Sequence, residues 1–243
     1  MIKRIVKHFL KQKNLKVWPV TPRSLSGFDF REDIQKLITG SSPVLFDIGA
    51  SHGQTAEEWR KLFPLASILS FEPSTESYEM LSKKAIGGSF RSFKVAMGSE
   101  VSKKELINYD HPWLNSFLPL DDKVKAMFEN PAEKEKEIVD VDSVDAFCIR
   151  NNISTIDLLK SDTQGYDLEV LKGAKGMLAS AKVNYVLIEI NFMKLYEGQS
   201  NVGETNSFLE SHGYYLIDYY DKVRIGYPIA WCNALYGRRP KEK

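Results

Sequence analysis

The ten residues Val44-Leu45-Phe46-Asp47-Ile48-Gly49-Ala50-Ser51-His52-Gly53 constrain the fold more than any other stretch of this chain. An apolar run suited to a buried strand ends in an acid and two glycines follow. Gln54-Thr55-Ala56-Glu57-Glu58-Trp59 then opens a helical pattern. A strand that turns through glycine into a helix lets backbone N–H groups approach a ligand at the helix N-terminus, because glycine takes up positive φ with no Cβ to clash. A second apolar run, Ile68-Leu69-Ser70-Phe71, ends in Glu72, 25 positions after Asp47 (72 − 47). In nucleotide-binding sheets an acid about 20 residues beyond the glycine turn accepts hydrogen bonds from the ribose hydroxyls. The two strand ends together imply a site for a nucleoside-bearing ligand.

From residue 43 onward, strand and helix patterns alternate. Strands are expected over 43–48, 67–72, 90–96, 137–141, 155–161, 183–190, 214–219 and around 230–236. Helices are expected over 54–62, 75–85 (capped by Ser74), 144–150, 168–179 and 203–211. This alternation predicts an α/β fold with a mostly parallel, doubly wound sheet. The run over 183–190 is the most apolar and suits a central strand covered on both faces. Residues 103–140 are less regular. They hold an aromatic loop, Asp110-His111-Pro112-Trp113-Leu114-Asn115-Ser116-Phe117, and a charged stretch over 133–137.

Ahead of this region, Ile2, Ile5, Val6, Phe9 and Leu10 recur at helical spacing with Lys3, Arg4, Lys7, Lys11 and Lys13 between them. Two readings stand for a helix over 2–13: contact with a membrane surface or a partner, or packing on the main body with its lysines solvated. Trp18-Pro19-Val20-Thr21-Pro22 reads as a linker, and Asp29 caps a short helix that runs to Leu37. The expected organisation is an N-terminal helical extension over 1–40 and a Rossmann-like domain over 41–243.

Composition excludes several classes. Lys plus Arg total 33 and Asp plus Glu 32, a net charge of +1, without the basic excess of a nucleic-acid surface. Cys148 and Cys232 have no metal-binding spacing. No apolar run is long enough to cross a bilayer, and the N-terminus lacks the apolar segment of a signal peptide. A cytoplasmic location is expected.

The glycines of the first motif are spaced GxxxG, not the GxGxxG of dinucleotide-binding proteins, which argues against a dehydrogenase. The second cluster is Leu158-Leu159-Lys160-Ser161-Asp162-Thr163-Gln164-Gly165-Tyr166-Asp167-Leu168-Glu169-Val170-Leu171-Lys172-Gly173-Ala174. Here a strand delivers Lys160 and Asp162 to its end, and Gly165 permits a turn into an acidic helix start. Asp167 and Glu169 suit the helix dipole. Asp162 at a strand end suits orienting a substrate hydroxyl, taking its proton, or holding a divalent ion. No dense ligand cluster accompanies it, so no metal ligand is assigned. Glu189, followed by Asn191, closes the next strand on the same edge as Asp47, Glu72 and Asp162.

These residues resemble the FkbM family of S-adenosylmethionine-dependent methyltransferases. Residues 44–53 match its first motif, Phe71-Glu72-Pro73 its second, and residues 158–174 its long, specific signature, with Asp167 in place of the usual Glu. Leu187-Ile188-Glu189-Ile190 and Leu195-Tyr196 also fit. The resemblance covers roughly 43–220. It implies a class I methyltransferase fold: a seven-stranded, mostly parallel sheet with helices on both faces, in strand order 3-2-1-4-5-7-6, the last strand antiparallel. It implies that Gly49, Ala50, Ser51 and Gly53, beside Asp47, wrap the amino-acid part of S-adenosylmethionine. Glu72, next to Pro73, holds both ribose hydroxyls, Ala96 and Met97 lie beside the adenine, Asn115-Ser116 lie near the cofactor, and Asp162 faces the reaction centre. The expected acceptor is a hydroxyl on a sugar, glycan precursor or small metabolite. Candidates to take its proton are Asp162, His52 and His111.

Two rival functions remain in view. Gly49-Ala50-Ser51-His52-Gly53 also satisfies the G-x-S-x-G elbow of α/β-hydrolases, with Asp162 and His212 in the right chain order. Against it, the elbow lies on the first strand, no HGGG-type segment exists, and hydrolysis leaves Glu72 unexplained. The other rival is a non-catalytic module that binds the cofactor alone.

Overall fold

The structure is a computed structural model and describes residues 25–238. The helix expected over 2–13 and the linker at 18–22 lie outside the described residues. The first element is α1 (Phe30–Leu37), whose Asp29 cap accepts from the Arg31 N–H. There follow β1 (Val44–Ile48), α2 (Gln54–Leu62), β2 (Ser67–Phe71), α3 (Thr75–Ala85) and β3 (Arg91–Phe93). After β4 (Ala96–Met97) and β5 (Ser102–Tyr109), two 3₁₀ turns, Pro112–Leu114 and Ala126–Phe128, with α4 (Asp122–Lys125) between them, lead to β6 (Glu133–Asp142). The chain continues through α5 (Val144–Arg150), β7 (Ile156–Ser161), α6 (Asp167–Gly173) and α7 (Lys175–Ala179). It ends with β8 (Val183–Asn191), α8 (Val202–Ser211), β9 (Tyr214–Arg224) and β10 (Ile229–Arg238).

The main sheet has seven strands in the order β3-β2-β1-β7-β8-β10-β9. Counted along the chain within this sheet, that is the expected 3-2-1-4-5-7-6. β10 runs antiparallel to both neighbours and the other pairs are parallel. Both faces are covered, which explains why β1, β7 and β8 read as nearly continuous apolar runs. On one face Phe46, Ile48, Leu159 and Ile188 pack with Phe147, Val170 and Leu171 from the helices. On the other, Leu45, Leu158 and Leu187 pack with Trp59, Ile34 and Tyr220. β1 lies between β2 and β7, so the chain departs from it in both directions. A crevice opens at such a switch point, beyond the carboxyl ends of the strands.

α1 is fastened to this body. Asp33, fully buried, accepts from the N–H groups of Ser26 (2.6 Å) and Gly27 (2.8 Å) and from the Tyr220 hydroxyl of β9 (2.9 Å).

Three expectations are corrected. The strand expected over 90–96 is two: β3 completes the main sheet, while β4 belongs to a separate three-stranded sheet in the order β4-β6-β5. The irregular region over 103–140 contains the long antiparallel pair β5 and β6. Its charged residues hide it from a hydropathy pattern, yet they are complementary across the strands: Lys136 reaches Glu105 at 2.8 Å and Lys103 reaches Asp140 at 3.1 Å. The helix expected over 168–179 breaks at Ala174 into α6 and α7. Where α6 ends, Gly173 approaches the Gly98 carbonyl so closely that a Cβ would lie 1.9 Å from its oxygen.

Candidate active site

The turn from β1 into α2 folds back on the end of β2. Gly49 (φ 75°), Ser51 (φ 47°) and Gly53 (φ 83°) all take left-handed conformations. The N–H groups of Gly49 and Ala50 both donate to the Phe71 carbonyl at 3.0 Å. A Cβ at Gly49 would lie 1.9 Å from the carbonyl oxygen of Asp162, so only glycine lets β1 and β7 close at this level. The next N–H, from Ser51, donates to Glu72 Oε2 at 2.8 Å, and the Ser74 N–H donates to Oε1 at 3.0 Å. Two backbone donors thus fix one carboxylate at the tip of β2. Glu72 is 7% exposed, and burial pushes its carboxyl up to about 7 against those two bonds.

Beside this carboxylate lies a cleft that, with its open mouth included, encloses about 700 Å³. Its walls change character along its length. Phe71, Pro73, Ala96, Met97, Leu106 and Phe117 make one part apolar, and Ser51, Asp162, Thr163 and Gln164 make another polar. Asn115, Ser116 and Trp113 complete the roof. Ser116 is held to β5 by paired backbone bonds with Ile107, and its hydroxyl donates to the Gln164 carbonyl at 2.7 Å.

The strand register gathers the acids on the α2-covered side of the sheet. Asp47 pairs with Lys160, and one step beyond the last pairs, Ile48↔Ser161 and Ser161↔Ile188, Asp162 and Glu189 stand level. Lys160 Nζ lies 3.1 Å from Asp47 Oδ1 and 3.8 Å from Asp162 Oδ2. Burial pushes the Asp47 carboxyl upward, opposed by Lys160. For Lys160, burial works against the charge, but Asp47 and Asp162 outweigh it and hold the ammonium protonated. Asp162 Oδ1 accepts from Gln164 Nε2 (2.7 Å), and Gln164 Oε1 accepts from the Tyr196 hydroxyl (2.9 Å). Asp167 is buried and braces the turn after β7, accepting from the Ser161 hydroxyl (2.6 Å) and the Thr163 N–H (3.0 Å). Burial raises it to about 6.

The predicted site residues therefore divide. Gly49, Ser51, Glu72, Pro73, Ala96, Met97 and Asp162 converge on the cleft. Asp47 lies beneath it as the partner of Lys160. Ala50 and Gly53 shape the turn without lining the cleft, Gly53 as the N-cap of α2. His52 is half-exposed on that turn and does not line the cleft. His111 is exposed and stacks on Trp113 with ring centroids 5.7 Å apart. The hydrolase triad is not assembled: Ser51 and Asp162 line the cleft, whereas His212 does not and closes α8, its Nδ1 2.8 Å from the Phe208 carbonyl. Among the described residues no group of three or more His, Cys, Asp or Glu side chains is placed to hold a metal ion. Sequence reasoning missed Gln164, which lay inside the quoted signature and whose polar side chain beside Asp162 was the available signal. It also missed Leu106, whose strand gives no apolar alternation.

A seven-stranded sheet with one antiparallel strand, a glycine turn at its switch point and a buried carboxylate on the next strand tip define the class I methyltransferase architecture. Residues 47–216 match the family described as the methyltransferase FkbM domain. The chain belongs to that family and is an S-adenosylmethionine-dependent methyltransferase. It is 24% identical over 186 residues to 2-O-methyltransferase NoeI of Sinorhizobium fredii (strain NBRC 101917 / NGR234), covering 72% of this chain and 74% of that protein. It is 28% identical over 158 residues to methyltransferase sdnD of Sordaria araneosa, covering 55% of this chain and 61% of that one, under two thirds of its length. Among solved structures, M. capricolum TrmK in complex with S-adenosyl-homocysteine aligns with a TM-score of 0.46 at 11% identity, over 86% of this chain and 68% of its own. The residues present fit the cofactor: a buried carboxylate beside an apolar slot, and a polar end lined by Asp162. When bound, S-adenosylmethionine supplies a methyl group made electrophilic by its sulfonium.

Proposed function

We propose that this protein methylates a hydroxyl oxygen on a sugar, glycan precursor or small metabolite, in the cytoplasm. The observation that carries this reading is the two-ended cleft. Glu72 accepts from both ribose hydroxyls, Ala96 and Met97 flank the adenine, the turn over 49–53 wraps the amino-acid end, and Asp162 faces the reacting end. The name of one relative, a 2-O-methyltransferase, supports oxygen as the acceptor atom. Two free, buried cysteines, Cys148 and Cys232, suit a reducing compartment. No helix of the described residues is long and apolar enough to cross a membrane.

The protein's contribution is alignment, exclusion of water and removal of the acceptor's proton. Orientation can supply roughly 7–11 kcal/mol, and a positioned base about 10²–10⁴-fold. Asp162 is placed to orient, since both its oxygens already face donors or cations. Neither imidazole lines the cleft, so the proton-accepting role falls to a carboxylate. Calorimetry with S-adenosylmethionine and S-adenosyl-homocysteine, followed by a screen of hydroxylated acceptors, tests the reading. Binding of both and O-methylated product are expected; a folded protein that binds neither overturns it.

A further inference from the structure

Beyond Gln164 lies a second pocket, of about 410 Å³, that the cofactor cleft does not include. Trp113 and Gln164 line both spaces, so the two are neighbours across one shared wall. The second pocket has aromatic sides built from distant parts of the chain. Trp113 meets Phe128 edge-on with ring centroids 5.2 Å apart, and Phe128 meets Trp231 of β10 at 6.5 Å. Leu114, Leu120, Leu195 and Tyr196 close its back. Into this apolar enclosure projects one carboxylate, Glu189.

Glu189 differs from the other acids of its row. Asp47 is engaged by Lys160, Glu72 by two backbone donors, and Asp162 by Gln164 and Lys160. Glu189 has a long contact, Asn191 Nδ2 at 3.5 Å from Oε1. It stands level with Asp162 on the neighbouring strand, one residue row from the reacting end of the cleft. A half-buried carboxylate with spare acceptor capacity is open to a ligand that brings donors. Flat aromatic walls favour one that also brings an apolar face. A pyranose meets both needs, because its ring C–H groups pack on indole while its hydroxyls donate to carboxylate and amide. A phenol or an alkyl alcohol brings a single donor and leaves the rest of Glu189 unsatisfied.

We propose that this pocket holds the methyl acceptor as a pyranose stacked against Trp113 and Trp231, and that Glu189 is a catalytic residue that binds and deprotonates the reacting hydroxyl. The inference rests on the methyltransferase reading above. As the acceptor oxygen bonds to the methyl carbon, the carbon–sulfur pair returns to sulfur as a neutral thioether and the hydroxyl proton passes to the Glu189 carboxylate. Burial, together with the nearby Asp162 and Asp167 carboxylates, holds Glu189 well above the usual carboxylate range against the pull of Lys160, the direction that strengthens a carboxylate as a proton acceptor.

The test uses the full chain loaded with S-adenosyl-homocysteine and a set of methyl pyranosides, read by saturation-transfer NMR. At least one glycoside should receive saturation at its ring C–H protons. Trp231→Ala should abolish that transfer while S-adenosyl-homocysteine affinity stays within about twofold. Should Trp231→Ala not fold, Phe128→Ala probes the same wall. With S-adenosylmethionine and the glycoside that binds, Glu189→Gln should lower kcat at least 100-fold. Cofactor binding with no glycoside signal, or binding of phenols and not glycosides, overturns the acceptor assignment and leaves the methyltransferase reading intact. A signal indifferent to the wall variants, or unchanged kcat in Glu189→Gln, overturns the pocket or the base. Loss of cofactor binding in the unaltered protein overturns both readings.

Discussion

The two halves of the site are built by different means. Around β1 and β2, ligand-facing groups come from consecutive residues: a left-handed turn, backbone N–H groups and one carboxylate, all within the 44–74 stretch. Around β7, β8 and β10, the walls come from residues scattered between Trp113 and Trp231, brought together by the sheet register and by a roof packed on β5. The first half is backbone geometry, dictated locally by the chain. The second is side-chain geometry, assembled from residues far apart in sequence.

The sharpest break in the comparison is Gly49→Ala. A Cβ 1.9 Å from the Asp162 carbonyl oxygen, at a φ of 75°, forces β1 and β7 apart. A loss of about 3–5 kcal/mol is expected in denaturant unfolding, with cofactor binding lost as well; a stability change below about 1 kcal/mol would show that the turn is not under this constraint. Next, Lys160→Met leaves the buried Asp47 without its cation. A destabilisation of about 3 kcal/mol is expected, largely recovered in the double variant Asp47→Asn/Lys160→Met. Equal losses in the single and the double variant would contradict the pairing.

Much of this was legible from the sequence, and unevenly so. The glycine turn, Glu72 and Asp162 were visible because a local motif dictates where their backbone goes. The fold was visible because strands covered on both faces are continuously apolar. The β5–β6 pair was invisible, since its stability comes from cross-strand charge pairs such as Lys136–Glu105, which resemble any solvated charged run. Trp231 went unassigned for a related reason. Its place in the pocket wall arises only when distant strands come into register, and nothing local marks it.

Smaller effects sharpen the cofactor half. Glu72→Gln keeps the shape of the side chain and removes its charge. S-adenosyl-homocysteine affinity should fall about 10–100-fold by calorimetry, the worth of hydrogen bonds to a charged acceptor; a fall below threefold would remove Glu72 from the site. Burial holds Glu72 at about 7; with ribose hydroxyls donating to its ionised form, as proposed, binding would expel a proton below that pH. Affinity should therefore rise up to tenfold per pH unit below about 7 and level off above it, a slope that Glu72→Gln abolishes. The same carboxyl, neutral more readily in the folded chain than in the unfolded one, withdraws stability as pH climbs from about 4.5 to about 7. The mildest test lies far from the cleft. Tyr220→Phe removes one hydrogen-bond donor to Asp33, leaving the Ser26 and Gly27 N–H groups and the Lys36 ammonium, and should lower stability by about 1–2 kcal/mol with cofactor affinity unchanged; a shift in affinity would link α1 to the site.

One thermodynamic cycle addresses the central proposal, that Glu72 grips the ribose. Calorimetry at pH 8 would compare S-adenosyl-homocysteine with its 2′,3′-dideoxy analogue on the unaltered protein and on Glu72→Gln. The unaltered protein should prefer the hydroxylated ligand at least tenfold and the variant less than threefold. Equal discrimination by both proteins would mean that this carboxylate does not read the sugar.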